Sequence, residues 1–61
     1  MNKYRLFGEL NIGNKFTYFL AEVGEATFKK TAESAAVVIL PNGKESYVHF
    51  FNYNDTVKLV N

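Results

Sequence analysis

The stretch from Ala35 to Phe51 constrains this chain more than any other. Ala35-Ala36-Val37-Val38-Ile39-Leu40 is followed by Pro41-Asn42-Gly43-Lys44-Glu45 and then by Ser46-Tyr47-Val48-His49-Phe50-Phe51. Both flanking runs are rich in the β-branched and aromatic residues that suit a pleated, half-buried surface. Between them, Asn42 and Gly43 tolerate the positive φ of a tight turn and Pro41 fixes φ just ahead of it, so the chain reverses here. A lone two-stranded hairpin is marginal in water, and the remaining residues must supply further strands.

They can do so. Tyr4-Arg5-Leu6-Phe7 reads as a short first strand, and the turn formers Asn11-Ile12-Gly13-Asn14 follow it. Lys15 to Ala21 reads as a second strand, with Phe16, Tyr18 and Leu20 on one face and Thr17, Phe19 and Ala21 on the other. The segment 22–36 contains good helix formers, and an α+β fold with a short helix there is the alternative. Its apolar residues Val23, Phe28 and Val37 are too sparse to mark one side of a helix, so a strand over Ala26 to Thr31 is the preferred reading, with Thr31-Ala32-Glu33-Ser34 as a turn. Asn52-Tyr53-Asn54-Asp55 is a loop whose side chains bond to nearby backbone, and Val57-Lys58-Leu59-Val60 is a last strand. Five or six short antiparallel strands in one domain, residues 1–61, make an all-β barrel or sandwich.

Size and composition narrow the function. A chain of 61 residues buries only about 60% of the surface that it exposes when unfolded, which leaves its stability modest and makes oligomers attractive. It has no cysteine to staple it, which points to a reducing, cytoplasmic setting. Seven Lys and Arg stand against six Asp and Glu, a balance that argues against a generic polyanion binder. The longest apolar run is Ala35 to Leu40, far short of the roughly 20 residues of a membrane-spanning helix. Lys3 and Arg5 are followed by Gly8-Glu9 and no signal-peptide core develops, so no membrane or secretory role is expected.

Residues that carry chemistry are few. A nucleophile needs a base within hydrogen-bond reach, and the one histidine, His49, sits three positions from Ser46 in a strand, so their side chains leave opposite faces. Glu45 and His49 share a face by alternation, but one histidine and one carboxylate make a poor metal site. The glycines stand apart and build no phosphate loop. The reading is therefore non-enzymatic, without cofactor or metal.

The spacing of Leu10, Gly13 and Phe16, then Phe28-Lys29-Lys30-Thr31, Ala35-Ala36, Gly43 and Val57-Lys58-Leu59-Val60 resembles a pattern in small phage-borne and plasmid-borne proteins with an SH3-like barrel. The resemblance covers most of the chain and implies an SH3-like fold and a viral or mobile-element origin in a host cytoplasm. It carries no catalytic residue across. Tyr47-Val48-His49-Phe50 is also similar to the Val-His-Phe strand of cold-shock domains, which stack single-stranded bases on aromatics. Lys15-Phe16-Thr17-Tyr18-Phe19 lacks the glycines of that family's other strand and lies too far upstream, so the likeness ends at four residues.

Six Phe and four Tyr are more ring surface than one small barrel hides. With Val48, Phe50, Phe16 and Tyr18 inside, Phe19, Tyr47 and Phe51, with His49, form an outer face that either lies under the Gly8 to Gly13 or Asn52 to Asp55 loop with nothing bound to it, or binds a protein partner or a second copy of the chain. In the viral setting that the resemblance implies, this suits an inhibitor or adaptor of a host protein. The alternative is a nucleic-acid-binding barrel in which the same rings stack on bases and Lys29, Lys30 and Lys44 meet phosphates.

Overall fold

The computed structural model describes residues 3–22 and 24–60; Met1, Asn2, Val23 and Asn61 lie outside them. The chain is all-β. Strands β1 (Tyr4–Leu6), β2 (Lys15–Leu20), β3 (Gly24–Ala32), β4 (Ala35–Ile39), β5 (Glu45–Phe50) and β6 (Thr56–Leu59) form one antiparallel sheet in the order β1-β6-β2-β3-β4-β5. The sheet curls round a core without closing, so β1 and β5 are its edges. A single 3₁₀ turn, Phe7–Glu9, follows β1. Segment 24–32 is strand and not helix, as the sparse apolar spacing required. No helix among the described residues is long and apolar enough to cross a membrane.

Alternation explains most of the burial. In β2, Phe16, Tyr18 and Leu20 face inward while Phe19 is 71% exposed, the arrangement expected from period two. In β3, Phe28 and Lys30 face the core and Thr27 and Lys29 face outward. Phe7 from the 3₁₀ turn, Phe16, Phe28, Ala36, Val38, Phe51 and Val57 fill the interior. Phe51 is its hub, stacked on Phe7 at 4.7 Å between centroids and edge-on to Phe16 at 5.4 Å and Phe28 at 5.2 Å. Each such ring pair adds about 0.5–1.5 kcal/mol beyond the area it buries.

The hairpin is as expected at its tip and differs along β5. Gly43 has φ +86°, and Asn42 Oδ1 accepts the Lys44 N–H at 2.9 Å. The interior expected from sequence, however, had Val48 and Phe50 inside and Phe51 outside. The structure reverses this: Phe51 is 4% exposed, Val48 is 50% exposed and Phe50 is 77% exposed. Ala36 and Val38 of β4 take the inner positions, and the register Ala36 to His49 and Val37 to Val48 therefore turns His49 inward and Val48 outward. The register shifts between Val37 and Ile39, so that Ile39 pairs with Glu45. That irregularity inserts one residue into β5 and separates Glu45 from the face of His49.

The loops are tied by side chains of the kind that sequence suggested. Asn52 N–H donates to Asp55 Oδ2 at 2.9 Å, and Asn11 N–H donates to Asn14 Oδ1 at 2.8 Å. Gly8 is dictated by packing, since a Cβ there would lie 1.8 Å from the Tyr53 ring.

Candidate functional site

Of the large apolar and aromatic side chains left exposed, Tyr47, Val48 and Phe50 lie on β5 and Leu40 in the same hairpin, while Tyr4, Ile12, Phe19, Tyr53 and Val60 lie elsewhere. Tyr47, 56% exposed, stands by a hollow of about 640 Å³ whose wall includes Ala26, Val38, Leu40 and Pro41. The hollow lies over the paired strands β3 and β4 at the end where Thr27 pairs with Ile39, with Leu40, Pro41 and Tyr47 around it. Glu25 is the one carboxylate in its lining. Glu25 also borders a smaller hollow of about 300 Å³, lined by Tyr4, Thr17, Phe19 and Lys58 among others. Phe19 and Tyr47 are thus both exposed, but beside different hollows.

The other aromatic residues of the expected face are placed differently. Phe51 is core and presents nothing to a partner. His49 is half-buried, its ring 4.6 Å from Phe51 and 5.7 Å from Phe28, with Nδ1 buried and lacking a hydrogen-bond partner. It is a wall of the core more than a surface group, and with Glu45 on the outer face the two do not converge. Among the described residues, no cluster of three or more His, Asp or Glu side chains is placed to hold a metal ion.

The expected lysines do not form one group. Lys30 is 4% exposed; its ammonium donates to the carbonyls of Phe7 at 3.1 Å and Leu10 at 2.9 Å and lies 4.5 Å above the Phe7 ring. Its inward position in β3 spends it on the fold and withdraws it from any phosphate. Lys29 faces outward and is ion-paired to Glu45 across the sheet. Lys44 is exposed at the hairpin. No family model, curated protein or solved structure matches the chain.

Sequence reasoning missed the exposed Val48 and Phe50 because β5 is apolar on both faces. The hollow was equally invisible, since it depends on how β3 and β4 pair and not on any one residue type.

Proposed function

We propose that this chain is a non-catalytic protein-binding module that receives an apolar side chain of a partner in the hollow beside Tyr47. The observation that carries this is the hollow itself. Its volume falls in the range of about 300–1,000 Å³ typical of binding clefts, and its wall is aliphatic with an aromatic residue at the rim. Aromatic anchors in such places supply much of the energy of protein contacts. Glu25 adds one carboxylate, which favours a partner segment carrying a basic residue next to its apolar anchor. The resemblance to phage-borne and plasmid-borne barrels supports a setting in a host cytoplasm, where such a module would occlude or bridge a host protein.

One observation favours a second reading. Lys15 and Lys29 are cross-strand neighbours on the outer face, and Lys58 lies opposite Thr17 two positions along β2, near the exposed Phe19 and Tyr4. That resembles a stacking surface for single-stranded nucleic acid. Glu25 and Glu45 occupy the same face, however, and offset most of its positive charge.

Affinity capture from the native cell with wild type and Tyr47→Asp as baits separates the two readings. The protein reading expects a protein that is lost with Tyr47→Asp and is retained as salt rises from about 50 to about 200 mM. Capture that ignores Tyr47→Asp, or nucleic acid released steeply over that salt range, refutes it.

A further inference from the structure

We infer that the free edge of β5 pairs antiparallel with β5 of a second copy, making a closed two-fold dimer whose sheet runs unbroken from one copy into the other. This goes beyond the hollow reading and does not require the hollow to be filled.

The backbone makes the first part of the case. In an antiparallel ladder each residue directs both its N–H and its C=O to the same side, and successive residues alternate. Phe51 N–H donates to Ser34 O of the neighbouring β3–β4 turn at 2.9 Å, and His49 pairs with Ala36. His49 and Phe51 therefore point their backbone groups towards β4, and Val48 and Phe50 point theirs away, where no strand follows in the sheet. The groups that need a partner are those of an extended strand, and only another extended strand satisfies them in series.

The side chains identify that strand as a copy of β5. Natural edges are blunted by brevity, charge, proline or a bulge; the bulge of β5 lies before Val48, and Val48 to Phe51 carry none of these devices. The opposite edge, β1, is three residues long and carries Arg5. Pairing of β5 with β1 of the next copy would propagate as an open chain of subunits, whereas β5 with β5 consumes both open edges and leaves only the short ones outside. A second copy is also the strand whose side chains match best. When Val48 stands opposite Phe50 of the second copy, and Phe50 opposite its Val48, both outward-facing backbone sets are hydrogen-bonded. Each of these exposed pairs then joins an aromatic to a β-branched residue, a favourable cross-strand combination.

The two alternatives of equal hydrogen-bond parity are poorer. Sliding one way sets Phe50 opposite Ser46, and sliding the other way sets Val48 opposite Asn52. In the favoured register the two His49 residues face each other across the axis.

Sedimentation tests the association and cysteine pairing tests the register. Wild type should sediment as a dimer well below 1 mM, and Phe50→Lys should raise the dissociation constant at least about tenfold, since the charge enters the interface twice. Because the natural chain has no cysteine, single-cysteine variants link only between copies. Val48→Cys mixed with Phe50→Cys should give a mixed disulfide in preference to either variant linked to itself, because a strand pair holds opposed Cα atoms within disulfide reach. A wild type that remains monomeric at about 1 mM, or a Phe50→Lys variant that dimerises as well as wild type, overturns the pairing. If Phe50→Lys fails to fold, the mixed disulfide still decides, and self-linked products in preference to mixed ones refute the pairing proposed. A monomeric result leaves the hollow reading standing, because that reading rests on Tyr47→Asp and its captured partner.

Discussion

Replacing Lys30 with Met tests whether a buried ammonium holds the first loop onto the sheet. The substitution keeps an unbranched stem of similar length and removes two hydrogen bonds, to Phe7 O and Leu10 O, together with the position over the Phe7 ring. Hydrogen bonds from a charged donor contribute about 1.5–3 kcal/mol each and the ring contact about 0.5–1, so the gross loss is roughly 5 kcal/mol. Against this, the variant no longer holds an ion out of water with no carboxylate beside it, which returns about 3 kcal/mol. The net expectation is a loss of about 2 kcal/mol. Phe7 O still accepts the Leu10 N–H at 3.1 Å, whereas Leu10 O is left without the ammonium that it accepted from. A domain of this size has a total stability of about 3–9 kcal/mol, so this is a large fraction of it and lowers Tm by about 8–16 °C. Urea unfolding followed by circular dichroism measures it, with an unchanged slope showing that the unfolded state is not what moved. Lys29→Met is the control, because a half-exposed ion pair contributes at most about 1 kcal/mol. If Lys30→Met is as stable as wild type or more so, burial of the ammonium outweighs its bonds, and the account of Lys30 as a clamp fails.

Two further substitutions probe the inner face of β5. His49→Phe removes the buried Nδ1 that has no partner while keeping a ring against Phe51 and Phe28, and should raise stability by about 1 kcal/mol in the same urea titration; a loss instead would mean that Nδ1 is satisfied in solution. Phe51→Ala should cost about 3–5 kcal/mol in the same urea titration, and a loss below about 1 kcal/mol would return Phe51 to the surface where sequence placed it.

The strands were legible wherever one face was polar. In β2, Lys15 and Thr17 alternate with Phe16 and Tyr18, so both the strand and its inward face could be read. The hairpin tip was legible because Asn42-Gly43 has a local conformational reason to turn. Segment 24–32 was harder, since Ala, Glu and Lys favour helix locally; pairing with β2 on one side and β4 on the other decides it, and such pairing is a tertiary matter. Lys30 shows the same limit. A lysine in alternation with Phe28 must face inward, but nothing in the sequence announces that two loop carbonyls wait there for its ammonium.

The phase of β5 was not legible, and the reason bears on function. A side-chain period of two assigns faces only when the faces differ, and Tyr47, Val48, His49, Phe50 and Phe51 offer rings or aliphatic groups on both. What fixes the phase is β4: its buried Ala36 and Val38 must face the core, and the register then places His49 inside and Val48 and Phe50 outside. A strand chosen only for this core would carry polar residues at those two outer positions, as β2 does at Lys15 and Thr17. The ambiguity that hid the phase and the apolar surface that β5 exposes at Val48 and Phe50 are therefore one property. Both follow from an edge strand whose outer face is built as though it too were to be covered, and the sedimentation of Phe50→Lys reads that property directly.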